Sequence, residues 1–222
     1  MAQEIVAGGA HAVAIQADIS REDQILTLFQ TAERELGPIK ALVNNAGVTG
    51  GFARVENLTA EAIEKTFAVN VTGAMLCARE AVRRMSTRHG GLGGAIVNIS
   101  SRAAHTGGAG EWVHYAASKG AIDSFTIGLA REVATEGIRV NAVAPGPTFP
   151  NPREGDEGVL REAAATLLGE RVRPEAIAAA VLYLNEAEHV TGQIIAVDSG
   201  QHLGWRTPDV IATMREHDPL QK

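Results

Sequence analysis

The sequence predicts an α/β protein with a doubly wound parallel sheet. Short runs rich in β-branched residues alternate along the chain with longer segments of helical periodicity. Such alternation places a helix between successive strands, so the strands run parallel through right-handed crossovers. The chain has 222 residues, of which 45% are hydrophobic, and can therefore bury one sizeable core. We expect a single domain over residues 1–204 and a C-terminal tail at 205–222.

Five strands and five helices are predicted in alternation. The runs that read as buried strands are residues 11–17, 41–44, 95–99, 139–142 and 194–197. The helical patterns between them cover residues 21–35, 60–88, 114–135, 158–168 and 174–185.

Composition argues against several classes of function. The net charge is -6 and the basic residues are scattered, so no patch for nucleic acid or an anionic membrane is expected. The only cysteine, Cys77, has no partner for a disulfide or a metal cluster. No apolar run reaches membrane-spanning length, and the first residues lack the pattern of a signal peptide. We expect a cytoplasmic protein with a small-molecule substrate and no metal site.

Polar and small residues follow each predicted strand, where a doubly wound sheet binds its ligand. Asp18 follows the first strand, residues 44–47 the second, Ser100 and Ser101 the third, and residues 145–148 the fourth. The loop at 145–157 carries four prolines and two glycines, which suits a lid or a plain surface loop equally well.

A tyrosine and a lysine four residues apart are the main chemical signal. Helical spacing places Tyr115 and Lys119 on one face, one turn apart. A nearby ammonium lowers the pKa of a phenol, and the pair could then protonate an alkoxide formed by hydride addition to a carbonyl. An isolated pair of this kind could equally be a solvated helix face.

The other candidates also have ordinary explanations. Of the two serines, we select Ser101 to bind a carbonyl oxygen, because side chains alternate across a strand; the alternative is a strand cap. The run Asn44-Asn45-Ala46-Gly47 could line a flat ligand or form a simple turn. Asn70 could face water from a helix interior, and Asp18 or Ser20 could cap the helix that follows.

Taken together, these residues resemble the short-chain dehydrogenase/reductase family. The ordered series is NNAG at 44–47, Asn70, NISS at 98–101, YAASK at 115–119, RVNAVAPG at 139–146, TGQ at 191–193 and VDSG at 197–200. One motif would be weak evidence, whereas the ordered series, which extends to about Gly204, is strong.

The resemblance implies a role for each residue. Ser101, Tyr115 and Lys119 would be the catalytic triad, and Asn70 would support a proton relay behind Lys119. The cofactor would be NADP or NAD. The residues expected to bind it are Asp18, Ile19, Asn45, Ala46, Gly47, Tyr115, Lys119, Pro145, Gly146 and Thr148.

The sequence departs from the family pattern at its start. The first two strands of the Rossmann-like sheet and the Gly-rich pyrophosphate turn are missing, and with them the segment that selects NAD or NADP. Their loss is expected to open a gap near the middle of the sheet and to leave the strand at 11–17 without neighbours. Three explanations stay open: a missed gene start, a natural fragment with impaired cofactor binding, or a different pairing order. Near the other end, Ser199 stands where the family usually has glycine.

The leading hypothesis is an NAD(P)-dependent oxidoreductase that interconverts a carbonyl and an alcohol. Similarities to pteridine, sugar and 3-oxoacyl reductases leave its substrate open. The alternative is a non-catalytic fragment that acts only through oligomeric association. In either case the family implies a homodimer or homotetramer that packs through the helices around 60–88 and 114–135.

Overall fold

A four-stranded parallel sheet forms the centre of the computed structural model, which describes residues 2–108, 110–148, 155–164 and 166–204. The strands are β1 (Ala41–Asn44), β2 (Gly94–Ile99), β3 (Ile138–Pro145) and β4 (Ile194–Val197). They pair in the order β1-β2-β3-β4, and every pair is parallel.

Helices cover both faces of this sheet. They are α1 (Ala2–Ala7), α2 (Glu22–Leu36), α3 (Ala60–Phe67), α4 (Ala74–Met85), α5 (Ala103–Thr106), α6 (Val113–Val133), α7 (Gly155–Ala164) and α8 (Pro174–Glu186). Ile96 and Val140 face one core, which includes side chains of α2, α4 and α6. Val97 and Val143 face the other, together with Leu184 of α8. This alternation confirms the predicted doubly wound architecture.

Four of the five predicted strands form, and the helices differ from their predicted bounds mainly in one place. The segment predicted as one helix over 60–88 is interrupted by a π-helical turn at Ala68–Gly73, between α3 and α4. The helix predicted at 158–168 is α7, which begins and ends earlier. The predicted tail at 205–222 lies outside the described residues.

The predicted strand at residues 11–17 does not form, and this prediction is wrong. The segment belongs to no helix or strand, and Val13 is 40% exposed. In the part of the chain that the structure describes, β1 pairs only with β2, and residues 11–17 pair with no strand. The four strands form a continuous sheet without an internal gap, and the alternative that they pair in a different order is also wrong.

Two smaller features concern helix length and the single cysteine. No helix among the described residues is both long and apolar enough to cross a membrane. Cys77 is a free, buried thiol, and burial raises its pKa to about 11, with the nearby Glu80 carboxylate acting in the same direction. This thiol is therefore protonated and a poor nucleophile at neutral pH.

The turn after β4 carries backbone strain at Ser199. Its φ is 53°, and it is the only non-glycine residue with positive φ in the described ranges. The neighbouring Asp198 carboxylate fixes the turn by accepting hydrogen bonds from the backbone N–H groups of Gly200 (3.0 Å) and His202 (2.8 Å). A side chain in this region of φ is unfavourable, whereas glycine adopts it freely.

Replacing Ser199 by glycine should therefore stabilise the protein. We expect Ser199→Gly to raise the free energy of unfolding in urea by roughly 0.5–1 kcal/mol, because relief of strain exceeds the added chain entropy. The matched control is Ser124→Gly on the exposed face of α6, where the same change should lower it by roughly 0.5 kcal/mol. If both variants change the free energy of unfolding in the same direction, Ser199 is not strained.

Candidate active site

A cavity of about 790 Å³ lies at the carboxyl edge of the sheet. The register pairs Asn44 with Asn98, Ile99 with Val143, and Pro145 with Val197, so the loops that follow the strands meet at this edge. The residues that line the cavity and were predicted from the sequence are Asn45, Gly47, Ser101, Tyr115, Lys119, Pro145, Gly146 and Thr148. The structure therefore brings most of the predicted site to one place.

Tyr115 and Ser101 form the hydroxyl pair of this cavity. Tyr115 lies in the first turn of α6, and Ser101 follows β2, where its hydroxyl accepts a hydrogen bond from the backbone N–H of Ala103 at 3.1 Å. Burial raises the pKa of Tyr115, and a hydrogen bond with the Ser101 hydroxyl opposes that rise. Ser100 is instead buried, and its hydroxyl lies 3.5 Å from the carbonyl oxygen of Lys119.

The expected lowering of the Tyr115 pKa by Lys119 is not found. The Lys119 ammonium lies 5.8 Å from the centre of the Tyr115 ring and donates a hydrogen bond to the carbonyl oxygen of Ile99 at 2.7 Å. Burial of the phenolate is the main cause of the raised pKa of Tyr115, and the Lys119 ammonium is not among the groups that lower it. Tyr115 stays a phenol, a proton donor, throughout the neutral range.

Lys119 is a buried cation. Only 6% of the residue is exposed. Burial lowers its pKa to about 8, and the Asp123 carboxylate, one helical turn further along α6, opposes this shift. The ammonium is thus present at neutral pH and is lost in mildly alkaline solution.

Asn70 holds the loop after β1 against α6. The π-helical turn carries the side chain inward, where it is 2% exposed, so the alternative that Asn70 faces water is wrong. Its amide donates to the carbonyl oxygen of Val48 and accepts from the Val48 N–H, both at 2.8 Å. The same amide donates to the Ser118 hydroxyl at 3.0 Å, which donates to the carbonyl oxygen of Tyr115 at 2.7 Å.

Gly47 lies between Asn70 and Lys119. A Cβ atom at this position would lie 3.3 Å from the Asn70 side-chain oxygen and 3.7 Å from the Lys119 nitrogen. The absence of a side chain therefore keeps the cavity open directly above the lysine.

Asp18 and Ile19 lie apart from the catalytic cavity. Ile19 lines a second, largely apolar cavity of about 490 Å³, and Asn45 and Ala46 line it as well. Asp18 is exposed and accepts hydrogen bonds from the backbone N–H (2.9 Å) and hydroxyl (2.7 Å) of Ser20, which lower its pKa. Neither Asp18 nor Ser20 caps α2, whose N-cap is Arg21 without a side-chain hydrogen bond, so the capping alternative is wrong.

Sequence reasoning missed the aromatic and cationic parts of the cavity wall. Phe52 and Trp112 pack with ring centres 5.0 Å apart, and Trp112 meets the Tyr115 ring edge-on at 5.5 Å. Arg102 also lines the cavity. The position of Arg102 directly after Ser101 could have identified it as a residue of the cavity. Phe52 could not be identified in this way, because it lies in a glycine-rich loop whose path cannot be predicted from the sequence pattern.

Comparisons with known proteins identify the family. A family model described as Enoyl-(Acyl carrier protein) reductase matches residues 1–202. The chain is 45% identical over 202 residues to the uncharacterized oxidoreductase YgfF of Escherichia coli (strain K12), covering 89% of this chain and 82% of that protein.

Two solved structures share the fold. FolM alternative dihydrofolate reductase 1 from Brucella canis, complexed with NADP, has a TM-score of 0.84 and 32% identity, covering 94% of this chain and 80% of that chain. A blue fluorescent protein from a metagenomic library, in complex with NADPH, has a TM-score of 0.82 and 33% identity, with coverage of 90% and 80%.

The chain is thus an oxidoreductase with a Rossmann-type sheet. It belongs to the short-chain dehydrogenase/reductase family, and it is an NAD(P)-dependent enzyme of the kind that interconverts carbonyl and alcohol groups.

The Asn70 contacts generate a stability prediction. Asn70→Ala leaves the N–H and C=O of Val48 without a partner, so we expect the free energy of unfolding in urea to fall by about 2–4 kcal/mol. Hydrogen exchange at the Val48 amide should accelerate as the loop is released. The control is Asn57→Ala at an exposed position, which should change stability by less than about 0.5 kcal/mol. An equal effect of the two variants would show that the amide does not hold the loop.

Proposed function

We propose that Ser101, Tyr115 and Lys119 are the catalytic residues for reduction of a carbonyl group. The observation that carries this proposal is that Ser101, Tyr115 and Lys119 line one cavity, with the Lys119 ammonium 5.8 Å from the centre of the Tyr115 ring. Ser101 binds the carbonyl oxygen and orients it towards Tyr115. Tyr115 donates its proton to that oxygen as negative charge develops on it.

Lys119 stabilises the phenolate that proton donation leaves on Tyr115. Its ammonium is held by the Ile99 carbonyl, close to the tyrosine ring. The reverse reaction, oxidation of an alcohol, uses the same residues, with the tyrosine oxygen accepting the proton. Asn70 does not line the cavity and acts as a positioning residue, because it fixes the Val48 loop and the helical turn that carries Tyr115.

The described residues fit NADP or NAD at two places. Lys119, Gly47 and the wall formed by Pro145, Gly146 and Thr148 would hold the nicotinamide ribose and ring. Asn45, Ala46, Asp18 and Ile19 would hold the adenosine end, since Asn45 borders both cavities. The bound dinucleotide supplies the hydride, whereas the protein orients the substrate and supplies the proton.

We further propose that residues 1–204 act as one catalytic domain in the cytoplasm, with 205–222 as a tail. We infer a homodimer or homotetramer that packs through α4 and α6. Support comes from apolar side chains that these helices leave partly exposed, among them Met75 at 37% and Ile127 at 42%.

Removing the tyrosine hydroxyl tests the mechanism. We expect Tyr115→Phe to lower kcat for carbonyl reduction about 100-fold or more, because general acid catalysis contributes that much. The assay follows NADPH and NADH consumption over a panel of ketones and aldehydes. Tyr183→Phe is a matched control, since it is the only other tyrosine and is 56% exposed. Unchanged turnover in Tyr115→Phe would exclude the role of the phenol, and no turnover by the unmodified chain would favour the non-catalytic alternative.

The buried lysine predicts how activity depends on pH. Lys119 has a pKa of about 8 and is a cation below that value, so kcat/KM for carbonyl reduction should fall as pH rises through about 8. Because burial raises the pKa of Tyr115, the phenol does not set this limb. Lys119→Arg keeps the positive charge to higher pH and should move the limb upwards. If the fall in kcat/KM occurs at the same pH in Lys119→Arg as in the unmodified chain, a group other than Lys119 causes it.

A further inference from the structure

Arg102 is a second cation of the catalytic cavity, directly after Ser101 in the chain. Its backbone N–H donates to the carbonyl oxygen of Pro145 at 2.9 Å, which fixes the loop between β2 and α5 to the end of β3. The side chain is 13% exposed, and its Nε atom lies 3.3 Å from the Asp198 carboxylate. Arg102 is therefore held in the wall rather than extended into solvent.

Asp198 lies outside the cavity lining and forms an ion pair with the Arg102 guanidinium. Its carboxylate accepts from the N–H groups of Gly200 and His202 and contacts the His202 ring nitrogen at 2.8 Å. Asp198 does not line the cavity, whereas Arg102 does. A carboxylate fixed by so many contacts can balance the charge of the guanidinium and leave its N–H donors for another partner.

The Nη groups of Arg102 have no hydrogen-bond partner among the described residues. A guanidinium carries five N–H donors, and here Nε is buried without a hydrogen-bond partner, approached only by the Asp198 carboxylate at ion-pair distance (3.3 Å). Because a buried donor normally finds an acceptor, a guanidinium whose side chain makes no hydrogen bond to a described residue points to a ligand. The natural match for two parallel guanidinium N–H groups is an oxyanion, a carboxylate above all.

The charges of the cavity agree with this reading. Its described lining residues include two cations, Arg102 and Lys119, and no carboxylate. Lys119 already donates to the Ile99 carbonyl and, in the proposed mechanism, serves the tyrosine and the cofactor. Of the two cations, only Arg102 has no role in the proposed mechanism and is available to bind the substrate.

We propose that the carbonyl substrate is an oxo acid whose carboxylate binds Arg102. This inference rests on the proposed function and names its substrate class. The Ser101 and Tyr115 hydroxyls hold the carbonyl oxygen, and Arg102, one residue further along the same loop, holds the carboxylate of the same molecule. The Phe52 and Trp112 rings offer apolar surface to the rest of the substrate.

Matched pairs of substrates test this assignment in the full chain. The assay compares kcat/KM for acetoacetate and 2-oxobutyrate with that for their methyl esters, which keep the ketone and lose the charge. We expect the chain to prefer the acids, and Arg102→Gln to lower the acid-to-ester ratio at least tenfold, mainly by raising KM for the acid. Arg102→Lys should keep part of the preference for the acid over the ester, because lysine retains the positive charge but lacks the two parallel N–H donors of a guanidinium.

Two controls separate this role from a structural one. Arg88→Gln removes an arginine that is paired with Glu136 outside the cavity and should leave the acid-to-ester ratio unchanged. If Arg102→Gln lowers the rates with acid and ester equally, or if the unmodified chain prefers the esters, the proposal is wrong. Arg102 is then only a clamp between the ends of β2 and β4.

A binding measurement distinguishes failure of this proposal from failure of the proposed function. Calorimetric titration with acetoacetate, in the presence of NADP, should show binding to the unmodified chain and binding at least tenfold weaker to Arg102→Gln. Acid binding without turnover would support Arg102 while removing the catalytic proposal. Turnover of neutral ketones without acid binding would do the reverse.

Discussion

The pairing of β2 with β3 is the contact on which the rest of the structure depends. Six residue pairs run in parallel from Gly94–Ile138 to Ile99–Val143, at the centre of the sheet. Their side chains alternate between the core that includes α2, α4 and α6 and the core that includes α8. Because β3 continues two residues beyond the level at which β2 ends, Ser101 and Pro145 lie side by side, and the cavity forms where they emerge.

Buried polar side chains then join the neighbouring elements to this pair. Asn44 of β1 donates to the Asn98 side chain at 2.9 Å and to the carbonyl oxygen of Ala74 at 3.1 Å, and Asn98 donates to the Thr126 hydroxyl of α6 at 2.9 Å. Asn70 continues the connection to Val48 and Ser118. Such buried groups are costly unless each is satisfied, so they specify one arrangement of loop, helix and sheet.

The site works against the stability of the fold. The Lys119 pKa of about 8 in the folded chain lies below its ordinary value of 10.5, so the folded state binds this proton less tightly than the unfolded state does. Burial of the ammonium therefore opposes folding below pH 8, and this penalty disappears as pH rises towards the ordinary value. The strained Ser199 next to Asp198 is a second cost close to the cavity. The cost of burying Lys119 falls at the place where the proposed mechanism needs a cation beside a phenol.

The sequence by itself determined the four central strands, their alternation with helices and the placement of Ser101, Tyr115 and Lys119 near one edge of the sheet, because these depend on periodicity and on short-range spacing. Tyr115 and Lys119 are one helical turn apart in any helix, and Ser101 comes shortly after the end of β2. Only the tertiary structure decided the rest. Residues 11–17 have the pattern of a strand but no partner edge, Asn70 turns inward through a π-helical turn, and burial rather than the lysine sets the pKa of Tyr115. Arg102 became part of the cavity through Asp198, which lies 96 positions along the chain. Each of these outcomes depends on which distant groups meet and on how far water is excluded, and neither property can be read from local pattern.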